Sequence, residues 1–281
     1  MPLRSTLLSL GIMILAVASS AAADLRVLTF NIRYANIKDG VNGWLNRRDA
    51  AAKLIAGEAD IAGLQEVLPA QRQDLVDRLN DFAYAGVGRE ADDRGEGSPI
   101  FYRKARFTAL SSGTFWLSDT PEIPGSKGWG ANLPRICTWV RLRETNGGTT
   151  FYVFNTHLDH QSQEARAKSI PLIRSRIEAR EPKAPALLTG DFNMHPENPA
   201  FQEIGLQSVY QTLGVTPEGT FHGFSDHLQP GPIDFIFTEK DRWTVTSCTV
   251  LKTQYLSTDG VQRYVSDHFP VVSVLAPVAE H

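Results

Sequence analysis

The chain has 281 residues, 42% of them hydrophobic and 21% charged, with a formal net charge of −3. That balance argues against a face built to grip duplex nucleic acid, which needs a basic surface. The two cysteines, Cys137 and Cys248, allow one intramolecular pairing or two buried free thiols, and the sequence leaves both open.

The chain opens with a positive Arg4, an apolar run from Leu7 to Val17 and the small residues Ala21-Ala22-Ala23. This predicts a secretory signal peptide over residues 1–23. The apolar run is short against the roughly 20 residues of a membrane span, so no stable membrane insertion is expected. The mature protein, residues 24–281, is expected to be a secreted or periplasmic single domain acting as a monomer.

Strands are predicted at Leu25 to Ile32, Ala59 to Leu64, Ser98 to Tyr102, Cys137 to Leu142 and Thr150 to Asn155. Four more follow at Ala186 to Thr189, Ile233 to Phe237, Thr244 to Leu251 and Phe269 to Leu275. Helical periodicity marks Arg47 to Ala56, Ala70 to Leu79 and Gln163 to Arg180. Many strands with a few helices between them suggest stacked sheets covered by helices. Ser111 to Leu117 reads either as an exposed aromatic hairpin or as a buried strand. On α-helical stretches, Arg47, Arg48 and Arg166 default to solvated faces or ion pairs.

An internal echo organises these elements. A strand ending at Asn31, a helix and a strand ending at Glu66 are matched by a strand ending at His157, a helix and a strand ending at Asp191. The separations are 35 and 34 residues. Two βαβ halves of one plan would bring their polar strand ends to a common edge. Asp267 and His268 open a third apolar run there.

Glu66, Asp191 and Asp267 are hard oxygen donors, a set that suits Mg²⁺ or Mn²⁺. Zinc is disfavoured by the lack of a cysteine cluster or a His-Glu-x-x-His spacing, and His195 and His222 are read as outside the metal set. A divalent ion with few protein ligands leaves room for phosphate oxygens and water. His157 and His268 would donate to non-bridging oxygens, or one would act as a base, with Asp234 as the orienter of a histidine. Loops 87–97, 118–135 and 217–231 lie between site-bearing strands and are the expected walls of the cleft.

Six segments together resemble the endonuclease/exonuclease/phosphatase superfamily: Thr29-Phe30-Asn31-Ile32-Arg33, Leu64-Gln65-Glu66-Val67, Asn155-Thr156-His157-Leu158-Asp159, Thr189-Gly190-Asp191-Phe192-Asn193, Pro232-Ile233-Asp234-Phe235 and Ser266-Asp267-His268-Phe269-Pro270. Trp44-Leu45-Asn46-Arg47-Arg48 and Gly219-Thr220-Phe221-His222-Gly223-Phe224 are similar to an exported bacterial branch. The resemblance implies a four-layer α/β/β/α sandwich of two packed mixed β-sheets flanked by helices, of class α/β (α+β). It implies metal-dependent attack of water on a phosphate ester. By the same resemblance Glu66 is the main metal ligand, supported by Asn31, with Asp267 close to the metal. Asp191 orients or activates the water and Asn193 holds Asp191 and the phosphate. His157 and His268 stabilise the transition state, with Asp234 behind His268. The position two residues after Asn31, acidic in some nucleases, is Arg33 here.

Arg135, Arg166 and Asp159 are expected on the substrate side, since a guanidinium fork matches phosphate oxygens. The expected substrate is a phosphate ester of unspecified identity, a diester in preference to a monoester. A nuclease is the first alternative, not favoured by the acidic balance. A non-catalytic binding module would need a catalytic group to be missing, and a two-carboxylate glycosidase leaves the histidines unexplained.

Overall fold

Each apolar run that the sequence marks as a strand becomes one, shifted by a residue or two at its ends. The computed structural model describes residues 24–225 and 227–278, so the expected signal peptide lies outside the described residues. The first half holds β1 (Leu25–Asn31), α1 (Trp44–Glu58), β2 (Ile61–Gln65), α2 (Pro69–Arg78), β3 (Phe82–Ala85) and β4 (Ile100–Arg103). There follow β5 (Phe107–Trp116), β6 (Ile136–Glu144), β7 (Thr150–His157), α3 (Gln163–Glu178) and β8 (Ala186–Asp191). The remainder is β9 (Gln207–Ser208), α4 (Val209–Leu213), β10 (Asp234–Thr238), β11 (Trp243–Val250), β12 (Gln254–Leu256), β13 (Gln262–Tyr264) and β14 (Val271–Pro277).

One six-stranded sheet runs β11-β14-β1-β2-β4-β3, and the other runs β5-β6-β7-β8-β10-β9. Strands β12 and β13 form a separate hairpin. Within the mixed sheets, β1 and β2 are parallel and so are β7 and β8, each pair joined through a helix. The sheets pack face to face, with β1 and β2 against β7 and β8. Leu54, Ile55 and Leu75 of α1 and α2 cover the outer face of the first sheet, and Ile170, Ile173 and Ile177 of α3 cover that of the second. This is the four-layer α/β/β/α sandwich, and burial of those apolar faces is its main driving force.

The echo is a shared register. Asn31 pairs with Gln65 and His157 pairs with Asp191, the same offset in both halves. Glu66 therefore sits one step past the end of β2, where its φ is 62°. Left-handed backbone at a non-glycine residue is a local strain of order 1–3 kcal/mol that the surrounding contacts must outweigh.

Just beneath those strand ends the two sheets are joined by polar groups. Asn155 donates to the carbonyls of Leu64 (2.8 Å) and Pro99 (3.1 Å), and its oxygen accepts from Gln65 (2.7 Å) and Thr189 (3.0 Å). Gly63 makes room for this join: a Cβ there would stand 2.1 Å from Thr189 Oγ1 and 2.7 Å from Asn155 Oδ1. The Asn155 amide, with both its ends engaged across the sheets, fixes the alignment of the layers.

Two sequence expectations are resolved and one is corrected. Phe115 and Trp116 are buried on β5, whose indole N–H donates to the Arg89 carbonyl at 2.6 Å, so Ser111 to Leu117 belongs to a strand and not to an exposed hairpin. Both cysteines are free thiols, Cys137 within the core. The correction is Arg47, read as a solvated helix residue but fully buried. Its guanidinium donates to the carbonyls of Ile32, Arg33 (2.7 Å), Asn42 (2.9 Å) and Val265 (3.3 Å), clamping the chain after β1 to the segment that carries Asp267. No helix among the described residues is long and apolar enough to cross a membrane.

Candidate active site

The strand ends of both halves meet at one cavity of about 510 Å³. Glu66, His157, Asp191, Asn193, Asp267, His268 and Arg135 line it, so most of the expected site residues converge. Arg89 and Glu96, Leu133, and Phe221 and Gln229 also line it, which puts each of the three expected wall loops at its rim.

Asn31 sits at the centre, fully buried. Its Nδ2 donates to Glu66 Oε1 at 3.1 Å and to Asp191 Oδ2 at 3.0 Å, bridging the acids of the two halves. Its Oδ1 accepts from the Arg33 amide at 3.0 Å, so Asn31 positions carboxylates with its nitrogen while its oxygen is engaged. Glu66 Oε2 accepts from the Tyr34 amide at 2.9 Å. Gln71, buried on α2, holds that loop by accepting from Ala35 (2.9 Å) and donating to the Arg33 carbonyl (2.9 Å). Ser266 ties Asp267 to the same edge, donating to the Asn31 carbonyl at 2.7 Å.

Arg33 fills the position that is acidic in some nucleases. It forms a two-pronged pair with Asp39 (3.1 and 3.0 Å) and lies 3.7 Å from Asp267. A cation there disfavours a second metal ion on that side.

The second half is drier. Asp191 is 1% exposed, and burial first, then the charge of Asp234, pushes its carboxyl up to about 7. Asn193, with φ at 48°, donates its amide N–H to Asp191 Oδ1 (3.0 Å), while its side chain meets His157 Nε2 (3.1 Å) and the Leu158 carbonyl (3.0 Å). His157 Nε2 is 3.6 Å and His268 Nε2 is 3.8 Å from Asp191 Oδ2. The two rings lie in opposite protonation states. Burial, then the Arg135 charge, pushes His157 well below the usual imidazole range and keeps it neutral. Burial also opposes charge on His268, but Asp234, at 2.9 Å from Nδ1, together with Asp191 and Asp267, raises it to about 10. Asp234 pairs in register with Asp191 across β10 and β8, which is how the orienter comes to stand beside the acid.

Glu66 and Asp267 are oxygen donors on the same cavity wall, and with Asp191 they fit a hard divalent cation such as Mg²⁺ or Mn²⁺. Asp191, Asp234 and His268 also bring one donor atom each within 4.8 Å of one another. The short Asp234–His268 bond and the raised imidazole make that trio a protonated ring between two carboxylates, a poorer cation cage than Glu66 and Asp267, which have no imidazolium bonded to them.

Asp159 and Arg166 do not line the cavity. Asp159 accepts from the Gln161 and Ser162 amides at 3.0 and 2.7 Å at the start of α3 and receives Arg135 Nε at 3.3 Å. Arg166 donates to the Asp159 carbonyl at 2.7 Å. Asp159 thus holds the turn that leads into α3 and braces Arg135, while Arg166 ties down the backbone of Asp159. The groups that the sequence did not single out are Arg89 and Glu96, hidden inside a loop whose folding depends on distant contacts.

Two mixed sheets flanked by helices, with carboxylates, histidines and asparagines gathered at their shared edge, define a hydrolase of phosphate ester bonds. The chain belongs to the endonuclease/exonuclease/phosphatase family, whose model matches residues 28–268. It is similar to the solved structure of a family protein from Bacteroides thetaiotaomicron, 34% identical, covering 92% of this chain and 100% of that one at a TM-score of 0.86. A mannosyl-6-phosphatase from the same organism is 35% identical, covering 90% of this chain and 99% of its own at a TM-score of 0.84. An uncharacterized protein of Acanthamoeba polyphaga mimivirus is 30% identical over 165 residues, spanning 53% of this chain and 59% of the viral protein.

Proposed function

We propose that the protein is a divalent-metal-dependent phosphoesterase for small polar phosphate esters, a sugar phosphate foremost. The observation that carries this is Asp191, desolvated to about 7 and facing a cavity shared with Glu66, Asp267 and the protonated His268. Such a carboxyl accepts a proton near neutral pH while a fixed imidazolium waits for growing negative charge.

Glu66 and Asp267 would hold the cation, which supplies charge neutralisation for phosphate oxygens when bound. Asp191 Oδ2 takes the proton of the attacking water as the new phosphorus–oxygen bond forms. His268 Nε2–H donates to a non-bridging oxygen, and its charge is sustained by Asp234 on the far side of the ring. Asn193 holds Asp191 and the His157 ring in place. The ester bond breaks on the side opposite the water, toward the wall formed by Arg89, Glu96 and Arg135, and the leaving oxygen takes up a proton.

The similarity to a mannosyl-6-phosphatase supports a monoester of a sugar over the diester expected from sequence. Mg²⁺ or Mn²⁺ is the proposed ion, and export after cleavage near Ala23 is the proposed route. The test is a panel of sugar phosphates, p-nitrophenyl phosphate, bis-p-nitrophenyl phosphate, phospholipid and single-stranded DNA, each with Mg²⁺, Mn²⁺ or chelator. Chelator-sensitive turnover of the sugar phosphates is expected to lead; activity confined to DNA would overturn the substrate assignment.

A further inference from the structure

The part of the cavity that the phosphate chemistry does not use is a wall made by residues 87–97. This loop is rigidly built. Gly97 bridges to both Val67 and Gly88, exchanging amide and carbonyl bonds of 2.7 and 3.2 Å with Val67 right beside Glu66. A Cβ on Gly88 would meet the carbonyl oxygens of Asp93 and Arg94 at 2.3 and 2.4 Å, so only glycine lets the loop close this tightly. Arg72 of α2 grips Asp93 with two bonds of 3.1 and 2.6 Å. The Arg89 amide donates to the Glu96 carbonyl at 3.1 Å, and the Arg89 carbonyl receives the Trp116 indole.

The loop presents one side-chain pair to the cavity, Arg89 Nη1 on Glu96 Oε2 at 2.8 Å. Arg89 is 8% exposed, and its Nε makes no hydrogen bond, with Glu90 standing 3.9 Å away. The Nε–H lies beneath the surface, so it is the outer end of the guanidinium that lines the cavity. Burial also raises the Glu96 carboxyl, against the pull of Arg89.

Charge decides what kind of ligand fits. Arg89 is matched by Glu96, Arg135 by Asp159 at 3.3 Å and Arg33 by Asp39 at 3.0 Å. Each of the three arginines on the cavity's walls is already paired with a carboxylate, so a second phosphate or carboxylate finds no uncommitted guanidinium there. A neutral group with adjacent hydroxyls suits the pair far better: the outer edge of the Arg89 guanidinium donates to one oxygen while a Glu96 oxygen accepts from its neighbour.

Resting on the phosphoesterase reading, we propose that Arg89, held by Glu96, is the residue that reads the hydroxyls of the leaving group and sets the preference for sugar-like phosphate esters. Arg89 contributes nothing to bond breaking itself. It raises specificity because a hydroxyl-free substrate leaves its buried donors unpaired, a mismatch that discriminates strongly.

The experiment compares mannose 6-phosphate with p-nitrophenyl phosphate in wild type, Arg89→Leu, Arg89→Lys and Glu96→Gln, with Mg²⁺. The ratio of the two kcat/KM values is expected to fall roughly tenfold or more in Arg89→Leu, chiefly through KM for the sugar ester. Arg89→Lys, which keeps a donor, recovers part of it, and Glu96→Gln shows a smaller fall. The ratio is read on one protein sample, so a misfolded fraction lowers both rates and leaves it unmoved. An unchanged ratio in Arg89→Leu overturns the proposal, as does a wild type that turns over the aryl ester but not the sugar ester. If wild type hydrolyses neither ester with Mg²⁺, the phosphoesterase reading has failed and takes this proposal with it.

Discussion

At the end of β1 and β2, Glu66 is partly open to solvent and is held by an asparagine amide and a backbone N–H. At the equivalent end of β7 and β8, Asp191 is sealed from solvent, faces a second carboxylate and is raised to about 7. Both acids come from the same strand–helix–strand plan in the same register. The difference lies in what surrounds the strand end. The first half steps past its strand into a polar loop beside Arg33, where Glu66 stays within reach of solvent. The second stops in register between β7 and β10, so Asp191 is boxed in by His157, Asp234 and His268. Duplicated geometry thus gives two different surroundings, which in the proposed mechanism suit one carboxylate to a cation and the other to a proton.

The largest expected effect breaks the second half alone. Asp191→Asn keeps the shape but cannot accept the water's proton, and its single oxygen serves only one of the Asn31 and Asn193 donors, so kcat should fall about a thousandfold with no rescue by added Mg²⁺. A mutant within a few-fold of wild type would remove Asp191 from proton transfer. Next in size is the join between the halves. Gly63→Ala drives a methyl into Thr189 and Asn155, and should cost about 3 kcal/mol, lowering the melting temperature by roughly 5 to 10 °C in thermal denaturation. An unshifted melt would show that the sheets do not depend on that close approach. Smaller again, Glu66→Gln should weaken apparent Mg²⁺ affinity roughly a hundredfold, with part of the rate restored at high metal. Metal titrations of Glu66→Gln and Asp191→Asn side by side separate the two roles, and rescue of both or neither would erase the distinction.

The strands and the strand-end acids were legible because alternation and abrupt polar residues are local signals. Asn31, Glu66, His157, Asp191 and His268 each interrupt an apolar run, and the matching separations pointed to one edge. Arg47 was not legible, since its burial depends on the Val265 carbonyl far along the chain. Arg89 and Glu96 looked like any charged loop, because the bridge to Gly97 and the Trp116 contact exist only in the folded state. Asp159 and Arg166 were placed at the substrate by type, but their hydrogen bonds hold the turn before α3 and neither lines the cavity. Local pattern shows where polar groups begin, while their partners decide whether they face the cavity.

The smallest expected effect tests the same principle on two imidazoles. His268 and His222 are both buried and lie on neighbouring segments, since Phe221 bridges to His268 and the His222 amide donates to the Asp267 carbonyl at 3.0 Å. His268 has Asp234 and is held charged. His222 has no carboxylate: its ring stacks on Phe269 at 4.3 Å and meets Tyr264 at 4.6 Å, and neither ring nitrogen makes a hydrogen bond. Burial, then the His268 charge, pushes it down to about 4 from 6.5, against a weaker pull from the carbonyls of Ser266 and Ser225. Between those two pH values the unfolded chain binds a proton that the folded ring refuses. The contribution of His222 is therefore fully present above pH 6.5 and drains away as pH falls toward 4. His222→Phe keeps the aromatic packing and removes the titration, so its denaturant-derived stability should lose less than wild type between pH 7 and pH 4.5. Parallel pH profiles for the two proteins would mean that His222 takes up its proton in the folded state, and that burial without a carboxylate does not suffice to hold a ring neutral here.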